Sequence, residues 1–281
     1  MTTNNDSPII WYIPGFRSGD DPQINVLHWL KRIYPDAAAF ESIIWENQPL
    51  DTPQKAVSSL KDRVTMSAPL RIASILNSAS PLRIFTRTLE NFVATPYSSL
   101  LEQTPAAPFS MLTKPLEIRW SKALADIKPT SERLVNRVRG LSQSQRQKLI
   151  LIGHSLGGNI VIRTLANLYR RDITIHSAVL LGAAIENCNE DILGAMKATQ
   201  RPIHSMFNPN DNTLKYLFPA VTVSRALGGT GCKLDYDRTK FFEHETDYST
   251  THSSDFYLSQ WASIQQRIAN LRMRYQSKKD K

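Results

Sequence analysis

The segment Gly153-His154-Ser155-Leu156-Gly157-Gly158 carries the clearest chemical potential in the chain. It follows the short apolar run Leu149-Ile150-Leu151-Ile152, fit for a central strand, and precedes Asn159 to Tyr169, which is patterned as an amphipathic helix. A serine held in so tight a strand-to-helix turn needs room on both sides, which Gly153 and Gly157 provide. Glycine is scarce, at 11 of 281 residues, yet three fall in these six positions. The turn lifts the Ser155 hydroxyl clear of the sheet. It also aims the Leu156 N–H at the place where an oxyanion forms when a carbonyl is attacked, and the helix N-terminus adds positive potential there. The plainer reading is a glycine-rich turn with a surface serine, and the flanking elements favour the nucleophile.

An unactivated serine is a weak nucleophile, so a base and an orienting acid are required. In chains that display serine on such a turn they follow it in the order acid, then histidine. His176 and His204 stand at the start of or inside expected strands and read as packed or satisfied residues. His252 lies on a loop (Ser249-Thr250-Thr251) that enters the final helix, where an imidazole can reach the turn, and is preferred as base. His244, in Phe241-Phe242-Glu243-His244-Glu245, is the rival. That run alternates like an edge strand and suggests a surface ion pair with the flanking carboxylates.

The acid expected is Asp211, in Asn208-Pro209-Asn210-Asp211-Asn212, just beyond the strand Ile203 to Phe207. Loops at the carboxyl ends of parallel strands are where functional groups gather, although Asn, Pro and Asp also form ordinary turns. Asp235, Asp237 and Asp247 are weaker candidates. A second oxyanion donor is expected from Tyr12-Ile13-Pro14-Gly15-Phe16, with the Phe16 N–H as donor.

The elements around these residues fit one architecture. Strands are expected at Pro8 to Ile13, Ser42 to Trp45, 148–152, 175–181 and 203–207. Helices are expected at 24–34, 116–127, 131–141, 159–169 and 191–199, at 214–218 and beyond Leu258. Strands alternating with helices predict an α/β protein with a doubly wound, mostly parallel sheet. Residues 64–115 interrupt the pattern with recurring prolines and helically spaced apolar clusters carrying Arg71, Arg83 and Arg87. They read as a helical insertion within a single domain spanning 1–281, either a lid or helices packed on the sheet.

Together these residues resemble the α/β-hydrolase superfamily on its lipase and esterase side. In detail they are similar to DUF726, a family known by a domain-of-unknown-function label whose members include membrane-associated eukaryotic proteins. The matching pieces are Ile13-Pro14-Gly15-Phe16, Gly153-His154-Ser155-Leu156-Gly157, Val179-Leu180-Leu181-Gly182-Ala183, and Asn210-Asp211 followed by Leu214. The likeness covers roughly residues 8–46 and 148–260. It implies acyl transfer to water through Ser155, His252 and Asp211, with the Phe16 and Leu156 amides around the oxyanion and no metal or organic cofactor. The chain departs from the membrane-bound members in having no transmembrane segment. It also has two candidate histidines in place of a single Gly-His-x-x-Tyr signature.

Composition narrows the setting. Hydrophobic residues make up 41% and charged residues 21%, the balance of a folded globular chain. The net charge of +9 is spread along the sequence, apart from the tail Lys278-Lys279-Asp280-Lys281, and no RNA- or DNA-binding signature accompanies it. Nucleic acid is therefore not expected as a partner, whereas peripheral contact with an anionic membrane is compatible with the Arg-bearing insertion. Cys188 and Cys232, the only cysteines, suggest two reduced thiols. The polar N-terminus lacks a signal-peptide pattern, so a cytoplasmic location is expected, with signal-less export left open. Three functions follow as expectations: hydrolysis of a lipid-like ester, a soluble esterase or thioesterase for small substrates, and a catalytically silent binding module.

Overall fold

The computed structural model describes residues 7–16, 23–43, 45 and 109–279. The chain divides into two compact units, Met1–Asn47 with Leu124–Lys281, and Gln48–Ala123. The second unit brackets the expected insertion, of which residues 64–108 lie outside the described residues; residues 109–115 are helical.

The first unit is built on a six-stranded, all-parallel sheet. Its strands are β1 (Ile9–Ile13), β2 (Ala39–Ser42), β3 (Leu149–His154), β4 (Ser177–Leu181), β5 (Ile203–Phe207) and β6 (Phe241–Glu245), in the order β2-β1-β3-β4-β5-β6. The helices are α1 (Gln23–Ile33), α2 (Phe109–Gly140), α3 (Gln143–Arg146), α4 (Leu156–Tyr169), α5 (Asp191–Lys197), α6 (Phe218–Thr222), α7 (Leu227–Thr230) and α8 (Ser254–Lys279). A single π-turn, Thr213–Leu217, leads into α6. Among the described residues no helix is long and apolar enough to cross a membrane.

Strand order explains the two helical layers. The chain moves one way from β1 to β2 and the other way from β3 to β4. Because parallel crossovers are right-handed, α1 and α4 must cover opposite faces. On one face Ile10, Tyr12, Ile150, Ile152, Val179, Leu181 and Met206 pack with Val26 and Leu30 of α1 and with Tyr257, Leu258 and Trp261 of α8. The alternate residues, among them Trp11, Leu149, Leu151, Ala178 and Leu180, are buried on the other face. There the guanidinium of Arg137 from α2 lies 4.8 Å from the Trp11 ring centre. All six residues of β3 are buried, as a central strand covered on both sides requires.

Two local expectations are corrected. The break at residues 128–130 does not occur, because α2 runs through Pro129. A proline inside a helix costs about 3 kcal/mol. The buried residues Ile127, Leu134, Val135 and Val138 straddle it, each contributing about 1.5–3 kcal/mol on burial, so packing wins. Ser131, at the start of the expected second helix, donates its hydroxyl back to the Lys128 carbonyl at 2.8 Å. The second strand is Ala39–Ser42 rather than Ser42 to Trp45. Its register starts with Ile9 opposite Ala39. Ile43 and Trp45, whose apolarity suggests a strand, lie beyond its end and are buried: the Ile43 N–H donates to the Tyr12 carbonyl at 2.8 Å, and Trp45 Nε1–H to the Pro14 carbonyl at 2.8 Å.

Candidate active site

Strand β3 ends in His154, and the next residue, Ser155, takes φ 53° and ψ −123° before α4 begins at Leu156. A non-glycine residue held at positive φ stores roughly 1–3 kcal/mol of strain and persists only when its surroundings fix it. Here the Ser155 N–H donates to the Leu181 carbonyl at 3.0 Å, and its own carbonyl accepts from Gly158 N–H at 3.0 Å and Ala184 N–H at 2.9 Å. The turn is also packed too tightly for side chains. A Cβ on Gly157 would stand 2.1 Å from the Ile13 carbonyl oxygen, and one on Gly15 would stand 2.7 Å from Ser155 Cβ. The loop after β1 therefore lies directly against the serine, at the point where strand order reverses.

The Ser155 hydroxyl is 2.8 Å from His252 Nε2, and His252 Nδ1 is 2.6 Å from Asp211 Oδ2. A carboxylate facing Nδ1 places the ring proton there, which leaves the Nε2 lone pair to accept from the serine. Asp211 is fully buried and its other oxygen accepts the Leu214 N–H at 3.1 Å, within the π-turn that follows. Ser155 is 3% exposed, and the His252 side chain 11%. The three residues expected from sequence are thus brought into one hydrogen-bonded chain, drawn from the ends of β3 and β5 and from the loop before α8.

Two further residues join them that sequence reasoning did not single out. The Tyr257 hydroxyl, on the first turns of α8, donates to Asp211 Oδ2 at 2.7 Å. Burial first, and then the neighbouring carboxylate, push its pKa well above the ordinary phenol value, so it remains a donor. His154 turns toward the same face, its ring centre 5.0 Å from that of His252. Burial and then His252 hold its pKa well below the usual imidazole value. Its Nε2 lies 3.1 Å from the His252 carbonyl, an acceptor, so the proton sits on Nε2 and His154 grips the backbone of the loop carrying His252. Its Nδ1 is buried without a hydrogen-bond partner.

Of the two expected oxyanion donors, Leu156 opens α4 and its N–H has no backbone acceptor among the described residues. Phe16 is half-buried in the loop that abuts Ser155. Beside the helix that starts at the serine lies a cavity of about 430 Å³, lined by Leu124, Ile127, Asn159, Ile185 and Phe218, with Arg163 and Lys128 at its polar part. Asn159 is held by donation to the Ala184 carbonyl at 3.0 Å.

The rival residues lie elsewhere. His244 does sit on an edge strand, but it makes no ion pair with its flanking carboxylates. Its Nε2 faces His204 Nδ1 at 2.9 Å, and Glu243 turns instead to the Cys232 N–H and the Tyr236 hydroxyl. His204 is half-buried rather than core, its ring tilted against that of Trp261 with centres 4.9 Å apart. His176 is half-buried and bonded to the Gln147 carbonyl. Asp237 accepts from Thr239 in an exposed turn. Asp235 and Asp247 are not among the partners of His252. Among the described residues no group of three His, Cys, Asp or Glu side chains is placed to hold a metal ion. No family model matches the sequence and no curated protein does.

Proposed function

We propose that the chain is a serine hydrolase of the α/β-hydrolase type that cleaves carboxylic esters, with a lipid-like ester as substrate. The observation that carries the reading is the unbroken chain of hydrogen bonds from Ser155 through His252 to Asp211, begun at a serine with strained backbone. In the proposed reaction His252 Nε2 takes the hydroxyl proton as Ser155 Oγ attacks the ester carbonyl. The Leu156 and Phe16 N–H groups receive the developing oxyanion. Collapse of the tetrahedral species expels the alcohol, which takes the proton from the imidazolium. Water then repeats the sequence and frees the acid and the serine. Asp211 holds the ring orientation and offsets the imidazolium charge, and Tyr257 and Leu214 hold Asp211.

The preference for a lipid-like substrate draws on the cavity beside α4, whose lining mixes apolar Leu124, Ile127, Ile185 and Phe218 with polar Lys128, Arg163 and Glu186, room for an acyl chain and a polar head. Contact with an anionic membrane surface belongs to the same proposal. Hydrolysis of p-nitrophenyl esters of increasing acyl length, with and without anionic vesicles, tests both parts. Turnover that rises with chain length and vanishes in Ser155→Ala is expected. Turnover confined to acetyl esters and indifferent to vesicles would leave a small-substrate esterase. No turnover by the wild-type chain on any ester would contradict the hydrolase reading.

A further inference from the structure

The two cysteines lie 44 positions apart in the chain (232 − 188) and meet in the fold. After β4 the chain crosses in front of the segment containing α7. There the Asn187 N–H donates to the Arg225 carbonyl at 2.9 Å, and the Lys233 N–H donates to the Asn187 carbonyl at 2.9 Å. The Asn187 side chain is buried and fastened to Thr230 Oγ1 at 2.8 Å. The bond from Lys233 to Asn187 joins the peptide unit leading into Cys188 to the one leaving Cys232. In a trans peptide the carbonyl oxygen and the following Cα lie on one side, as do the N–H and the preceding Cα. Standard bond lengths then put the two cysteine Cα atoms about 4–6.5 Å apart at every rotation about the hydrogen bond that is free of a steric clash. That range falls almost wholly within what a disulfide spans, roughly 4.4–6.8 Å.

We propose that Cys188 and Cys232 form a reversible intramolecular disulfide when the chain meets a small-molecule disulfide such as oxidised glutathione. Both are free thiols in the structure, Cys188 exposed and Cys232 partly buried. Cys188 is therefore the thiol that reacts first. Its thiolate attacks one glutathione sulfur, forming a mixed disulfide and releasing a glutathione thiolate. Cys232, deprotonated, then attacks the Cys188 sulfur, forms the internal bond and expels the second glutathione thiolate. The two protons lost by the cysteines end on the two reduced glutathiones. Burial is the main reason the Cys232 thiol lies above its ordinary pKa, with Glu243 and Cys188 among the smaller contributions.

The bond would bear on the candidate site's supports. In the stapled segment Gly228 donates its N–H to the Ala183 carbonyl at 2.9 Å and accepts the Asn208 N–H at 2.8 Å. Asn208 in turn accepts the Asp211 N–H and donates its side-chain amide to the Ser249 carbonyl. The ring closed by the disulfide contains Asp211.

The purified full-length chain is incubated at mildly alkaline pH with mixtures of oxidised and reduced glutathione, quenched by alkylation and measured by intact and peptide mass. The expected result is paired loss of both thiols, a net loss of two hydrogens, a linked peptide joining 188 to 232, and a melting temperature about 5–10 °C higher. Cys232→Ser should stop at the mixed disulfide on Cys188. A wild-type chain that keeps both thiols, accumulates glutathione adducts, or links only to a second copy overturns the proposal.

Discussion

Tyr257 and His252 share one oxygen of Asp211: the phenol hydroxyl donates to Oδ2 at 2.7 Å, and imidazole Nδ1 stands 2.6 Å from the same atom. The helix that follows the His252 loop thus reaches back to the Asp211 carboxylate and helps fix its orientation. The ring of Tyr257 fills the space beside Gly182, whose φ is +52° and where a Cβ would stand 2.6 Å from Tyr257 Cζ.

Tyr257→Phe keeps the ring and removes one donor to a buried carboxyl. A hydrogen bond to a charged group is worth about 1.5–3 kcal/mol, so thermal unfolding should move down by several degrees. Under the proposed mechanism kcat should fall roughly tenfold, about 1.4 kcal/mol, with KM little changed, because the phenol does not meet substrate. Steady-state kinetics on a p-nitrophenyl ester checks the split. An unchanged kcat would reduce Tyr257 to a packing residue.

His154→Phe preserves the aromatic packing and releases the His252 carbonyl. Under the proposed mechanism the variant should be a stable protein that reacts with a fluorophosphonate roughly tenfold more slowly, because the loop holding His252 is no longer tied to β3. His154→Gln, which retains an N–H donor, should recover part of the rate. Equal rates in all three proteins would remove the positioning role.

The burial of His204 and His244 makes stability depend on pH. Burial, then His244, lower the His204 pKa from about 6.5 to about 4, and burial lowers that of His244. Between those values the unfolded chain binds more protons than the folded one, so stability rises with pH. The contribution is complete above about 6.5 and is lost as pH falls through about 4. Melting temperatures across this window should climb with pH, and His204→Asn should flatten part of the climb.

Glycine substitutions offer a structural contrast. Gly157→Ala drives a Cβ to 2.1 Å from the Ile13 carbonyl oxygen, whereas a Cβ on Gly140 meets nothing within 4 Å. The first should cost about 3 kcal/mol or more. The second should be neutral or gain up to about 1 kcal/mol. Denaturant unfolding of the two variants measures the difference.

The chain shows in its sequence those features that local pattern dictates. Ser155 is legible because an apolar run, flanking glycines and a helical pattern leave one backbone solution. Asp211 is legible because it lies in the loop just past a strand end, and His252 because a loop precedes the last helix. Tyr257 is not, since a tyrosine early in a helix looks like any core aromatic until Asp211 is folded against it. His154 had a usable signal. It alternates with Ile150 and Ile152, so it must face the layer that holds α8 and its incoming loop. The position of β2 and the continuity of α2 through Pro129 are tertiary choices: register against β1 sets one, and burial on both sides of the proline sets the other. The pairing of His244 with His204 also needs the sheet, because it joins neighbouring strands 40 residues apart.

The most direct test of the account is covalent. The wild-type chain is treated with a fluorophosphonate probe, digested and mapped, beside Ser155→Ala and His252→Ala. One adduct on Ser155, absent in the first variant and strongly slowed in the second, is the predicted result. An unlabelled wild-type chain, or an adduct on another residue that survives Ser155→Ala, would contradict the claim that this serine is an activated nucleophile.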